Sequence, residues 1–381
     1  MRAVLGSEVH ICTVGEAVSP NLAPILDRRF GVKRVVLIHT PDFLKSAQYL
    51  EQVFRNYQIS TEYYCIESAF DFELILGALE PLFLSFKGGE KPHINITVGT
   101  KLVSLALFEL ASALDFPVYY VDRSDSVLYL LPREGGKFAL QDRVKIKPFL
   151  LANGVQVVST AEPISDPEIR ALLDALVERM AYFAPAISKL NYYAYTARNK
   201  TLVSKRIEGE SSVFDALVAR FEATGLLAYR ADKLHFRDEA ARFFANGGWL
   251  ETFLFHKIKQ LSREVVEIQD NLSGVALEDM GGVKNEIDNM VLCNNNIFLI
   301  ECKTKKLNKK GLPDGGMTPA IYKLDSLMST LGGVMGRGML VSMYELTASD
   351  LKRAKREGIV VVSLGDLKSI KRHLKRWLVG R

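Results

Sequence analysis

Asn285-Glu286-Ile287-Asp288 and, a short way on, Ile297-Phe298-Leu299-Ile300-Glu301-Cys302-Lys303 read as two neighbouring strands. The second enters as an apolar run and then carries Glu301 and Lys303, two positions apart and therefore on one face. Burying either charge alone is costly, so the two must be paired, metal-bound or open to a cleft. An acid, a second acid and a lysine on adjacent strands suit metal-dependent phosphodiester chemistry.

Working outward, 381 residues allow two or three domains, and 48% apolar content supports a globular chain. No apolar stretch is long enough to span a bilayer, and Met1 to Glu8 lack the apolar core of a signal peptide. The expectation is a soluble, cytoplasmic protein with no membrane partner. Cys12, Cys65, Cys293 and Cys302 have no paired short spacing and read as buried thiols, with no histidine at zinc-ligand spacing. The net charge of +5 permits a nucleic-acid partner without demanding one.

From residue 9 to 131, β-branched runs alternate with helical patterns: 10–14, 34–38, 62–66, 94–98 and 118–121. That rhythm predicts an α/β domain over 1–160, a parallel sheet with helices on both faces, and an antiparallel edge strand over Ser126 to Leu131. Ile169, Leu172, Leu173, Leu176 and Met180 recur at helical spacing and open a helical connector over 161–246. Within it, a helix at Phe214 to Ala223 precedes a hairpin at Leu226 to Phe236. Helices and a hairpin resemble a winged helix, although no strongly basic recognition helix stands out. Gly247-Gly248 marks the start of a C-terminal domain over 247–381. There the pattern predicts a helix from Trp249 to Leu261, strands near 264–268, 286–291, 297–303, 339–341 and 359–364, and helices near 322–330, 351–357 and 368–376.

In that domain Asp288 and Glu301 are hard oxygen donors suited to Mg²⁺ or Mn²⁺, with the Cys302 main-chain carbonyl as a third ligand. Lys303, aligned with Glu301, suits orienting or activating a water, or stabilising charge on phosphate. Glu251 flanks the apolar stripe of its helix and either completes the metal site or stands solvated beside it. Lys305, Lys306, Lys309 and Lys310 lead into a Gly-rich loop to Thr318, a cationic segment suited to phosphate capture and equally to plain solvation.

In an open parallel sheet, ligands bind beyond the carboxyl ends of the strands where the topology reverses. Gly15, Ser19 and Asn21 follow the first strand, and Gly99-Thr100-Lys101 follow the fourth; both loops lead into helices whose amides favour an anion. No GxGxxG follows the first strand and no full Walker loop is present, so a nicotinamide dehydrogenase or a nucleotide hydrolase is not supported.

Asp288 with Glu301-Cys302-Lys303, preceded by Glu251 on a helix, resembles the PD-(D/E)xK nuclease superfamily, with no proline before Asp288. Asn95-Ile96-Thr97-Val98-Gly99-Thr100-Lys101 resembles the signature of CRISPR-associated Rossmann-fold (CARF) sensor domains. Joined through a helical middle, the two are similar to the ancillary nucleases of type III CRISPR immunity over nearly the whole chain. The resemblance implies a restriction-endonuclease-like C-terminal domain and a homodimer whose paired sensors bind a cyclic oligoadenylate, most often cyclic tetra-adenylate. Binding then switches on metal-dependent cleavage of DNA or RNA. Carried over by position, Thr97, Gly99, Thr100 and Lys101 meet phosphate or ribose, Gly15, Ser19 and Asn21 line the pocket, and His39 is a further candidate. The alternative is a ligand-responsive DNA-binding regulator, with 207–245 as reader and an inactive nuclease fold. Hydrolysis of the ring by the sensor itself stays open.

Overall fold

Val9–Thr13, the first strand (β1), is buried at all five positions, the pattern of a central strand covered on both faces. In the computed structural model, which describes residues 7–122, 127–131, 136–141, 143–198, 200–305, 317–332 and 336–380, the chain divides into two compact units. One comprises Met1–Val157 with Glu278–Lys284; the other comprises Val158–Leu277 with Asn285–Arg381.

The first unit places β2 (Arg34–His39) and then β3 (Ser60–Cys65) parallel on one side of β1. On the other side lie β4 (His93–Asn95) and β5 (Val118–Asp122), also parallel. Beyond them, β6 (Val127–Leu131) and β7 (Lys137–Ala139) run antiparallel. The order β3-β2-β1-β4-β5-β6-β7 reverses between β1 and β4, which is the switch point of this sheet. Helices Phe72–Ser85 and Lys101–Ala113 press Leu79, Phe83, Val103 and Leu107 onto Ile11, Val36 and Ile94. Full burial of each such side chain contributes roughly 1.5–3 kcal/mol.

The strand expected over 94–98 stops at Asn95, and side-chain chemistry explains why. Asn95 Oδ1 accepts from the Thr97 amide at 3.0 Å and from its hydroxyl at 2.6 Å, a turn that takes the chain out of the ladder. The Asn95 amide donates to Pro20 O and Asn21 Oδ1, both at 3.0 Å, and the Asn21 amide donates to Thr13 O at 2.8 Å. One fully buried side chain thus ties the ends of β1 and β4 together. Ser126, expected to begin the edge strand, lies outside the described residues.

A six-stranded sheet, most of which lies in the second unit, has the order β15-β14-β13-β12-β11-β8. Its strands are β8 (Val155–Ala161), β11 (Ile268–Asp279), β12 (Lys284–Cys293), β13 (Asn296–Lys303), β14 (Arg337–Ser342) and β15 (Val360–Val362). A separate hairpin, β9 (Leu227–Arg230) with β10 (Lys233–Phe236), follows the helix Ser212–Ala223. The strand expected near 264–268 is instead β11. Residues 262–265 close the preceding helix, with Glu264 and Val265 amides both donating to Leu261 O at 2.9 Å. One core runs from Ile169 and Phe214 through Trp249 and Phe298 to Trp377, so the region 161–246 packs into the same interior as the C-terminal strands. Lys306, Lys309, Lys310 and the loop through Gly316 lie outside the described residues. Among the described residues no helix is long and apolar enough to cross a membrane.

Asn95→Ala removes an amide that donates twice and an oxygen that accepts twice from a buried junction, and leaves the Thr97 and Asn21 groups unmatched. We expect it to lower stability in urea unfolding of the full chain by about 2–4 kcal/mol, whereas Thr61→Ala, on edge strand β3, should shift it by less than about 1 kcal/mol.

Candidate active site and ligand cavity

The carboxylate site begins with a two-residue turn. Asn294 and Asn295 both have positive φ, 48° and 56°, as a tight hairpin between twisted strands requires. Gln269 holds the turn, donating to Asn295 Oδ1 at 3.1 Å and accepting from the Asn295 amide at 2.6 Å. The turn sets the β12–β13 register, from Cys293↔Asn296 to Asn289↔Ile300. Beyond Ile300 the Cys302 amide donates to Asp288 Oδ2 at 2.6 Å, and Glu301 and Lys303 pair with Leu340 and Ser342 of β14. The register therefore delivers Asp288, Glu301 and Lys303 to one end of the sheet.

Glu301 is only 3% exposed, and both of its oxygens are engaged. Lys303 Nζ lies 2.5 Å from Oε1, and Lys323 Nζ lies 2.8 Å from Oε2. Burial would lower the Lys303 pKa, but the field of Glu301, its hydrogen bond and Asp288 outweigh that and raise it. Lys303 is therefore an ammonium at neutral pH: a hydrogen-bond donor and a positive charge rather than a base. Lys323, on the helix Thr318–Gly332, was not among the expected residues. The only signal for it is a lysine flanking the buried stripe of Ile321, Leu324 and Leu327.

Glu251 stands in the first turn of the helix Trp249–Leu261, whose backbone Asn289 grips by donating to Glu251 O at 3.1 Å. Its carboxyl pKa is pushed up to about 9, first by burial and then by repulsion from Asp288, Glu286 and Glu301. That electrostatic coupling puts Glu251 in the field of the cluster rather than on a solvated flank. Asp288 is raised to about 6 by burial and by Glu301, against the opposing Cys302 amide, Lys303 and Lys323. The buried Cys302 thiol is driven well above its usual range, so only its carbonyl is a suitable metal donor.

Among the described residues no group of three His, Cys, Asp or Glu side chains stands close enough to hold a metal ion as placed. The donor chemistry nevertheless fits a divalent cation: Lys303 and Lys323 are both committed to Glu301, and the crowded Glu251 and Asp288 carboxyls are still pushed above their ordinary range.

The second site is a cavity of about 470 Å³ in the first unit, at the carboxyl ends of β1, β2 and β4. Gly15, His39, Thr97, Gly99 and Thr100 line it. A Cβ on Gly15 would sit 2.9 Å from Val98 Cγ1, and Gly99 has φ +98°, so the two loops approach as only glycines allow. The Thr13 hydroxyl donates to Val98 O and closes the junction. Thr100 caps the helix Lys101–Ala113, accepting from the Val103 amide at 3.3 Å while its hydroxyl donates to Ala69 O at 2.7 Å. Lys101 is exposed at the start of that helix and does not line the cavity. Ser19 and Asn21 are buried behind the wall rather than lining it, because Asn21 is spent on Thr13 and Asn95. The wall also includes Glu16, Phe43 and Phe70, which the loop motifs did not single out; Phe70 is 81% exposed at the chain after β3.

Comparison with curated protein sequences yields no match. Among solved structures, protein VC1899 from Vibrio cholerae is 28% identical and superposes at a TM-score of 0.83, covering 97% of each chain. Can2 from Sulfobacillus thermosulfidooxidans, solved in complex with cyclic tetra-adenylate, is 22% identical at a TM-score of 0.76 over 99% of each chain. A type III CRISPR defence DNA nuclease activated by cyclic oligoadenylate is 18% identical at 0.58, covering 93% of this chain and 48% of that one. The likeness to these last two is one of fold. Family profiles match the Card1 CARF domain over residues 9–149 and the Card1-like endonuclease domain over 238–380. The chain therefore belongs to the CRISPR-associated proteins that join a CARF sensor domain to a Card1-like endonuclease domain.

Proposed function

We propose that the protein is a nuclease of type III CRISPR defence, switched on by a cyclic oligoadenylate, with cyclic tetra-adenylate as the first choice, and dependent on Mg²⁺ or Mn²⁺. The observation that carries this reading is the presence in one chain of a switch-point cavity and a buried carboxylate–lysine cluster. Asp288, Glu301 and the Cys302 carbonyl would hold the cation, with Glu251 as a further donor. A bound divalent cation supplies an activated water and neutralises charge on the phosphorane. Lys303, as an ammonium, donates to a phosphate oxygen or to the water and stabilises the charge that builds there. Lys323 holds the second oxygen of Glu301 and fixes that carboxylate's orientation.

In the sensor, Gly15, Thr97, Gly99 and Thr100 face phosphate and ribose, with the exposed Lys101 next in the chain to the lining Thr100. Phe70 offers a face for adenine stacking, and Glu16 accepts from ribose hydroxyls or the adenine amino group. A two-fold ring is read most simply by a two-fold homodimer, each copy offering the same loops. Activation requires the ring to bind the cutting-competent state more tightly than the resting one. The deciding experiment is a cleavage panel of plasmid, single-stranded DNA and RNA, with and without cyclic tetra- or hexa-adenylate, in Mg²⁺ or Mn²⁺. Activator-dependent cutting is expected; sequence-specific DNA binding with no cutting would instead make the chain a regulator, with 207–245 as reader.

Asp288→Asn and Glu301→Gln should each cut activator-stimulated cleavage about a hundred- to a thousandfold while leaving calorimetric binding of the ring unchanged. Lys101→Ala should raise the activator concentration for half-maximal cleavage by about tenfold, the loss of one charge-assisted hydrogen bond, at unaltered maximal rate. Glu251 and Asp288 bind protons more tightly folded, at about 9 and about 6, than at their unperturbed 4.5 and 3.8. Their contribution to stability is therefore complete below the unperturbed values and is lost as pH rises through the folded ones. The metal-free protein should show a falling Tm across that window, and Glu251→Gln should flatten its upper part.

A further inference from the structure

Away from the carboxylate cluster, the second unit has a cavity of about 190 Å³ lined by Ser165, Arg170, His256, Lys259, Gln260 and Arg263. Three of these are cations and none is an acid. His256 is 7% exposed, and its Nε2 lies 2.8 Å from Ile164 O, so that nitrogen carries the hydrogen and pins the chain leading to Ser165. Burial first, and then Arg170 and Lys259, hold its pKa below the usual range, which registers the positive field in the cavity. The acid that also acts on His256, Asp174, is paired with Lys257 at 2.8 Å. A second cavity uses the chain neighbours Leu261 and Glu264 as its wall and adds Lys371, Arg372 and Lys375. Its single acid, Glu264, is paired with Lys371 at 2.6 Å.

Cations at a helix C-terminus compensate its dipole, and that accounts for Lys259. It does not account for Arg170 or for Arg372 and Lys375, which come from two other helices. Positive charge spread over two cavities, whose linings take chain neighbours (Gln260 and Arg263 in one, Leu261 and Glu264 in the other), suits a polyanion better than a single phosphate.

We propose that this basic track grips the phosphate backbone of the nucleic-acid strand that the carboxylate cluster cuts. Resting on the nuclease reading above, it makes the track an exosite: Glu251 and Lys259 lie at opposite ends of one helix, about 12 Å apart along its axis.

The test is fluorescence anisotropy of the full chain with labelled single-stranded and duplex oligonucleotides in EDTA, as a function of salt. Arg170→Gln, Lys259→Gln and Arg263→Gln combined should weaken binding about tenfold. For each phosphate that the variant no longer neutralises, the log–log salt slope should fall by roughly 0.7 with single strands, or roughly 0.9 with duplex. With activator and metal, KM should rise while kcat holds. Arg372→Gln with Lys375→Gln, at surface positions, should act in the same direction. Wild-type affinity and slope in both variants would overturn the track, as would inorganic pyrophosphate binding as tightly as the oligonucleotides. A wild-type protein that binds through these residues but cuts nothing would defeat the nuclease reading and leave the track standing.

Discussion

Glu301 is a carboxylate almost without access to water, and a buried charge of that kind persists only with compensating charge beside it. Lys303 and Lys323 provide that compensation, one per oxygen. Much of the second unit serves to bring those groups together. The Asn294-Asn295 turn sets the register that carries Asp288 to the Cys302 amide. β14 holds the other side of β13, the helix Thr318–Gly332 supplies Lys323, and the helix Trp249–Leu261 brings Glu251 into the same field. The cluster is consequently over-supplied with carboxyls. Two of them, Glu251 and Asp288, are pushed above the ordinary carboxyl range by burial and by neighbouring carboxylates.

The first unit solves a different problem, bringing two strand ends close enough to form a cavity between loops. Asn95 does this by leaving the β4 ladder and bonding to the chain that follows β1, while Gly15 and Gly99 allow the close approach. If ligand at this cavity shifts the other unit toward a cutting-competent state, the ligand must bind that state more tightly than the resting one.

The parallel sheet was legible because short β-branched runs, such as the buried Val35 to Ile38, alternate with helical patterns. Glu301 and Lys303 were legible because they break an apolar run. What stayed hidden depended on contacts distant in sequence. Lys323 looks like any solvated helix flank until its partner is placed. Ser19 and Asn21 look like loop ligands, yet burial and the Asn95 bond make Asn21 part of the wall's support. β11 has few apolar residues beyond Val275 and Leu277 on its buried side, so its alternation is faint. The region 161–246 looks like a connector because helical periodicity shows that a face is buried, but not against what.

The central claim is that Glu251, Asp288 and Glu301 form one electrostatic unit that trades protons for a cation. Calorimetric titration of Mn²⁺ into the protein near pH 7, in two buffers of different ionisation enthalpy, measures that exchange directly. The account predicts binding with release of about one proton per ion, and loss of that release in Glu251→Gln. Binding with no proton release in the wild type, or no binding at all, would contradict it.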